Sequence, residues 1–251
     1  MNILGVIPAR YASTRFPGKP LAMICGKSMI QRVYEQASKA ISLSGVIVAT
    51  DDERIFEHVV KFGGHATMTK TSHTNGTSRC LETLMMPANK NRQEEFDAII
   101  NIQGDEPFIE PAEIDRLAAL FVDKKTDIAT LVKVIENKEA VFDPNTVKVV
   151  MDVDRFALYF SRQAIPFFRD AESSRWFDKH TYYKHIGIYG YRSEVLKKIV
   201  SLPSSPLEHA EKLEQLRWLE NGFRIKVEIT EFDSISVDTP ADLEEIINNG
   251  C

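Results

Sequence analysis

Short apolar runs and helix-period segments alternate from Ile3 to Gly64, the order that builds a parallel sheet with crossover helices. Ile3, Leu4, Val6 and Ile7 predict a buried strand, with Pro8 expected to stop its hydrogen-bond ladder. Lys27 to Ile41 sets Met29, Ile30, Val33, Ala37 and Ile41 near one helical face. Gly45 then releases the chain into a second strand, Val46 to Thr50. Asp51 and Asp52 stand where a helix cap belongs, ahead of the inward positions Ile55, Phe56, Val59 and Phe62. A polar loop, Lys70 to Arg79, leads into a helix carrying Cys80, Leu81 and Leu84, and Pro87 to Glu95 is the most surface-like stretch of the first half. Phe96 to Gln103 is the most continuous buried run, and Pro111 to Phe121 returns to helix with Ile114, Leu117, Ala118 and Phe121 inward.

From Asp127 the rhythm changes. Ile128–Val134, Val147–Met151 and Phe156–Phe160 read as strands with few helical patterns between them, which predicts antiparallel pairing and a subdomain over residues 127–192 within one domain spanning 1–251. Arg169 to Lys184 is polar and aromatic, a long loop anchored by Trp176 and Phe177. His185 to Arg192 alternates, with His185, Gly187, Tyr189 and Tyr191 on one face. Ser205, Pro206, Leu207 and Glu208 form a helix start, and the helix is expected to continue through Leu213, Leu216 and Leu219 to Asn221. Glu211, Glu214 and Gln215 are polar positions on it, ordinarily solvent-facing. Phe223 to Ile229 is the last strand, and Ser236 to Asp242 a final strand-to-helix corner.

Composition narrows the class. A hydrophobic fraction of 43% and a charged fraction of 27% suit a soluble globular chain. No apolar run reaches the length of a membrane span, and no basic-then-apolar leader opens the sequence, so a cytoplasmic protein without stable membrane insertion is expected. Cys25, Cys80 and Cys251 are isolated and lack metal-ligand spacing, which reads as reduced thiols. A net charge of −5 without a Lys/Arg block argues against nucleic-acid binding but leaves room for a small anionic substrate met by local cations.

The candidate chemistry sits at strand ends. Arg10, Arg15 and Lys19 follow the first strand among Ala9, Ala12, Ser13, Pro17, Gly18 and Pro20. Small residues let backbone N–H groups reach phosphate oxygens while the cations offset charge; a solvated basic connector is the other reading. Asp105, after Gly104 at the end of the most buried strand, is either a divalent-cation ligand or an ordinary turn residue. At the last corner Thr239, Pro240 and Asp242 fill the capping positions, which leaves Asp238 over as a candidate metal ligand. The hydroxyls of the Lys70–Arg79 loop serve either capping or ligand contact, and the tyrosines of His185–Arg192 either substrate contact or an interface. Several motifs fail. The Gly26-Lys27-Ser28 triplet lacks the upstream glycine of a phosphate loop, since Leu21 stands there; no dinucleotide-binding glycine pattern follows the first strand. The six histidines lack zinc spacing, and Ser13, Ser28 and Ser161 lack a nucleophile elbow.

Taken together, IPARYASTRFPGKPL, HTNGTSR, NIQGDEP, SRQAIPF, KHIGIYGYR, PLEHAEKLEQLR and SVDTPADLEE resemble the 3-deoxy-manno-octulosonate cytidylyltransferase family nearly end to end. The resemblance implies an α/β, Rossmann-like nucleotidyltransferase fold, with a mostly parallel central sheet and a smaller antiparallel region for dimerisation and sugar binding. It also implies a homodimer that transfers cytidylyl from CTP to 3-deoxy-D-manno-octulosonate (Kdo) with Mg²⁺, for lipopolysaccharide assembly. Carried over by residue, Arg10, Arg15 and Lys19 grip the triphosphate, and Asp105 and Asp238 hold magnesium. Ala9, Arg10, Lys19, Thr77, Arg79 and Gln103 form the nucleotide site, while Arg162, His185, Tyr189, Glu214 and Gln215 contact the sugar acid, with His185 a donor rather than a base. Ser78 departs from the family pattern, which usually has aspartate there. The competing readings are a related nucleotidyltransferase acting on sialic acid, an amino analogue of Kdo or a sugar phosphate, and a non-catalytic nucleotide or sugar sensor.

Overall fold

Among β1 (Ile3–Ala9), β2 (Met23–Ile24), β3 (Lys27–Ser28), β4 (Gly45–Thr50), β5 (Ala66–Met68) and β6 (Ala98–Asn101), the longer strands are apolar on both faces, as strands covered on both sides by helices must be. The computed structural model describes residues 1–12, 15–86, 96–233 and 235–248. It divides into two units, one of residues 1–119, 190–200 and the segment after 233, the other of 120–189 and 201–233. The surface-like stretch Pro87 to Glu95 lies outside the described residues.

In the first unit the strands run parallel in the order β6-β1-β4-β5. Pro8 does not stop β1, which continues to Ala9 opposite Thr50 of β4. The carbonyl of Val6 accepts from Ile102 N–H, so Val6 and Pro8 face β6, and β6 already ends at Asn101 opposite Val6. The missing proline N–H therefore points where no ladder bond is needed. The helices start on side-chain caps: Ser28 accepts from Gln31 N–H, Asp52 from Arg54 N–H and Asn75 from Ser78 N–H, opening helices Met29–Ala37, Glu53–Lys61 and Gly76–Met85. The first ends at Ala37, short of Ile41, which is 93% exposed instead of inward. Gly26 serves a tight hairpin: Cys25 and Gly26 both have positive φ, 43° and 83°, as the two-residue turn between β2 and β3 requires. Cys25, exposed in that turn, is disulfide-bonded, which corrects the reading of a reduced thiol there; Cys80, shut inside its helix face, is free as that reading has it, and Cys251 lies outside the described residues.

The second unit holds β7 (Ile128–Val134), β8 (Lys148–Met151), β9 (Ala157–Ser161), β11 (Ile225–Thr230) and the first part of β10 (Tyr183–Arg192). β8 pairs antiparallel with β9, as the sequence predicts, and also with β10, whereas β7 pairs parallel with β11. The parallel partner arrives nearly a hundred positions later, after β8, β9, β10 and several helices, and local periodicity does not connect it to β7. The expected single helix after Ser205 is two, Pro206–Glu211 and Glu214–Glu220, broken where Lys212 adopts the left-handed region at φ 54°. The break turns Glu211 toward Ser161 and Arg162. The start of that helix is the capping box read from Ser205 and Glu208. Tyr189 and Tyr191 are buried, at 7% and 0% exposure, so they are core residues and offer no dimer surface. Among the described residues no helix is long and apolar enough to cross a membrane.

Candidate active site

Two acidic corners of the first unit are stitched together by backbone. Val237 N–H donates to the carbonyl of Asp105 at 2.9 Å. Val237 itself is fully buried against Ile24 and Met29, with Phe16, Phe108 and Leu243 around it. The alternation of a strand-like segment then turns the neighbouring Asp238 outward. At the following corner Asp242 accepts from the N–H groups of Asp238 and Thr239, and Asp242 N–H donates to the Thr239 hydroxyl. The two backbone bonds hold the Asp242 carboxyl below the usual carboxylate range. Asp238 is therefore free of capping duty, and its carboxylate faces the cationic loop.

That loop is folded by its own turn residues. Gly18, left-handed at φ 73°, donates its N–H to Tyr11 carbonyl at 3.0 Å and opens the one-turn helix Lys19–Leu21, where Pro20 is buried. A Cβ on Gly18 would lie 3.1 Å from the Tyr11 ring. The guanidinium of Arg54 lies over that ring, 3.3 Å from its centroid, and also pairs with Asp52 at 2.6 Å. Lys19 Nζ thereby reaches Asp105 Oδ2 at 2.6 Å, the Val237 carbonyl at 2.9 Å and Asp238 Oδ1 at 3.4 Å. Arg15 Nη2 lies 3.0 Å from Asp238 Oδ1. Arg10 is exposed at the end of β1, and Ala9 is buried opposite Thr50. Thus three hard oxygen donors converge on one cationic group, with a second cation at their edge.

The other residues expected at the nucleotide site pack around the ends of β1 and β6. A Cβ on Gly104 would sit 2.8 Å from the Pro8 carbonyl, and one on Gly76 3.2 Å from Asn101, so the glycines of QGDEP and HTNGTSR permit close approach to those strand ends. Gln103 is half-exposed, while Thr77 and Arg79 are buried. Arg79 donates to the Thr69 hydroxyl and pairs with Asp51 Oδ2 at 2.8 Å. Its charge is committed inside the protein, to fixing the first turn of Gly76–Met85 against the end of β4. Ser78 and Glu82 both contact His73, closing the loop on itself.

The residues expected at the sugar site all lie in the second unit. Arg162 donates from Nε to the Glu211 carbonyl at 2.8 Å and from Nη1 to the Pro144 carbonyl at 2.9 Å. Nη2 has no acceptor among the described residues. His185 keeps some surface, but its ring stands edge-on to Phe160 and tilted against Tyr189, and burial lowers its pKa to about 3. The Thr130 hydroxyl lies 2.7 Å from the Ile188 carbonyl and 3.0 Å from His185 Nε2. With its single proton given to Ile188, that oxygen accepts from His185 Nε2–H and leaves Nδ1 as an acceptor. The donor role expected of His185 is thus taken up internally. Tyr189 packs edge-on to Trp218, Gln215 is buried, and Glu214 pairs with Arg217 at 2.6 Å. Glu211, expected to face solvent, accepts from the Ser161 hydroxyl and Arg162 N–H at 2.6 and 2.9 Å.

Thr130 and Glu211 had no local signal marking them, and Asp51 stood only as a possible helix cap, a role that Asp52 takes. Lys148 had one, as a lone charge inside an apolar strand. Among the described residues no three acidic, histidine or cysteine side chains cluster as a metal site.

A family model described as cytidylyltransferase matches residues 4–229. Curated relatives named 3-deoxy-manno-octulosonate cytidylyltransferase include that of Parabacteroides distasonis, 52% identical over 98% of this chain and 97% of its own. That of Bacteroides thetaiotaomicron is 53% identical over 99% of each. A solved CMP:2-keto-3-deoxy-manno-octonic acid synthetase complexed with CTP superposes with a TM-score of 0.89 at 42% identity, covering 99% of this chain and 98% of its own. A 4-diphosphocytidyl-2C-methyl-D-erythritol synthase from Anaerococcus prevotii, 14% identical with a TM-score of 0.59 over 98% and 97% of the two chains, shares the fold alone. On this identity, sustained along the whole length, the chain belongs to the 3-deoxy-manno-octulosonate cytidylyltransferase family.

Proposed function

We propose that this enzyme transfers the cytidylyl group of CTP to Kdo, forming CMP-Kdo and pyrophosphate for lipopolysaccharide biosynthesis. The observation that carries the reading is the convergence of Asp105, Asp238 and Lys19 on one corner, in a chain 52% identical to a relative of that name over 251 residues. A Kdo hydroxyl oxygen bonds to the α-phosphorus, the bond to the bridging oxygen breaks, pyrophosphate leaves with the electron pair, and the hydroxyl proton is released.

The donor set suits a divalent cation. Two carboxylates and the Val237 carbonyl are hard oxygen ligands, and the Lys19 ammonium now drawn to all three marks a place of negative potential. Asp105 and Asp238 would hold Mg²⁺, which when bound offsets charge on the phosphates and acidifies the attacking hydroxyl. Lys19 and Arg15 grip the triphosphate, Lys19 exchanging its carboxylate partners for phosphate oxygens, and exposed Arg10 adds a further cation. Ala9, Gln103 and the first turn at Thr77 shape the nucleotide pocket, with Arg79 holding that turn through Asp51. Arg162 presents Nη2 to the sugar-acid carboxylate, and His185 accepts a sugar hydroxyl at Nδ1. Tyr189, Glu214 and Gln215 line the sugar side.

A homodimer and a cytoplasmic location, where CTP is available, complete the reading. Leu158 and Val153, 61% and 99% exposed beside the β8–β9 hairpin, supply apolar surface for a second copy. The test is pyrophosphate release from CTP with and without Kdo and Mg²⁺. Release that needs all three is expected; release with a sugar phosphate instead of Kdo, or none with any acceptor, overturns the proposal.

A further inference from the structure

Lys148 is fully buried in β8, where it faces Ser161 of β9 in an antiparallel register. Burial pushes the pKa of such an ammonium down from the usual lysine value. An unsatisfied ammonium there would be costly. All three of its N–H donors are instead taken by main-chain carbonyls, those of Asp143 at 2.8 Å, Thr146 at 2.6 Å and Arg162 at 2.6 Å. Two of these acceptors bracket a tight turn, which Asp143 also closes by accepting from Asn145 N–H and the Thr146 hydroxyl. The third belongs to Arg162. Inside the bracketed turn lies Pro144, whose carbonyl accepts from Arg162 Nη1.

We infer that Lys148 is a positioning residue for the sugar-acid subsite: its ammonium ties the Asp143–Thr146 turn to the backbone of Arg162 and so fixes the guanidinium that receives the carboxylate. The inference rests on the reading of Arg162 given above. The lysine holds the turn that sets Nη1, and it holds the main chain from which the Arg162 side chain departs. Glu211 sets the other edge, accepting Arg162 N–H on its carboxylate and Nε on its carbonyl. One carbonyl at each edge of the guanidinium, Pro144 at Nη1 and Glu211 at Nε, leaves Nη2 as the free arm of a planar fork. A methionine at 148 keeps the length and volume of the stem but withdraws all three donors, so the turn and Arg162 lose their common tie.

The test compares Lys148→Met, Lys148→Gln, Arg162→Ala and Val227→Ala, the last a buried β11 substitution in the same unit that lowers thermal stability without touching the turn. Steady-state KM for CTP and for Kdo and kcat are measured for each, with melting temperature. Lys148→Met is expected to raise the Kdo KM about tenfold or more while the CTP KM stays within about twofold. Lys148→Gln, which keeps two N–H donors, should have a smaller effect, and it serves alone if the methionine variant does not fold. Val227→Ala should lose melting temperature with both KM values unchanged. If Arg162→Ala raises the Kdo KM and neither Lys148 variant does, the positioning role is wrong and the reading of Arg162 stands. An unchanged Kdo KM in Arg162→Ala overturns that reading, and the inference with it. Equal rises in both KM values in the Lys148 variants would mark general structural damage and also overturn it.

Discussion

Neutralising the two acids one at a time separates a catalytic role from a structural one, because their surroundings differ. Asp105, with a side chain 28% exposed, meets Lys19 at 2.6 Å. A charge-assisted bond of this kind contributes about 1.5–3 kcal/mol when shielded, and solvent access to the carboxylate brings the expected cost of Asp105→Asn to about 1–2 kcal/mol. At about 2–4 °C per kcal/mol for a chain of this size, the melting temperature should fall by roughly 2–8 °C. Asp238, 39% exposed, lies 3.4 Å from Lys19 and pairs with an Arg15 that is itself 66% exposed. Asp238→Asn should therefore cost under about 1 kcal/mol. Turnover should behave otherwise. If both carboxylates hold the same cation, each substitution lowers kcat about 100-fold or more, a loss of roughly 2.7 kcal/mol in transition-state stabilisation. The assay is pyrophosphate release over a Mg²⁺ titration, beside urea denaturation of each variant. Unequal stability losses with matched turnover losses are expected. Near-normal kcat in either variant, or turnover losses that follow the stability losses, would refute the shared-cation reasoning.

Three further outcomes follow from the same geometry. Gly104→Ala would drive its Cβ to 2.8 Å from the Pro8 carbonyl, a backbone atom that cannot step aside; a displaced Asp105 should appear as a raised Mg²⁺ requirement in the pyrophosphate assay. Arg79→Met leaves Asp51 without its buried partner and should cost about 3 kcal/mol in a urea denaturation series, together with a raised CTP KM. His185 titrates at about 3 in the folded protein against about 6.5 unfolded, so between those values the unfolded chain binds more protons and stability falls as pH falls. Its share is complete above pH ~6.5 and declines by at most about 1.4 kcal/mol per pH unit below it; His185→Asn should flatten the stability profile in that window, and an unchanged profile would contradict the burial.

Local chemistry speaks clearly wherever a function is local. The cap at Asp52, the Ser205–Glu208 capping box and the Thr239–Asp242 corner are all visible as residue types at fixed spacing, because each satisfies donors within one turn of itself. Where the partner is distant, pattern alone misleads. Pro8 looked like a stop because the end of β6 is set by another segment. The helix after Ser205 looked continuous because the demand that Glu211 turn toward Ser161 comes from β9. The tyrosines of β10 alternate as a half-exposed face would, yet both sides are covered.

The amino-acid order by itself determined the alternation of strands and helices in the first unit, the helix caps, and the presence of a cationic loop, an acid at the QGDEP turn and one acid, Asp238, left over from capping, since these depend on neighbours within a few residues. Only the tertiary structure decided that Val237 N–H and the Asp105 carbonyl join corners more than 130 residues apart, that Lys19 stands between their carboxylates, and that Lys148 ties a turn to Arg162. Those contacts arise from the crossing of strand ends in space, and the free energy that selects them is shared among segments that carry no record of one another in their local pattern.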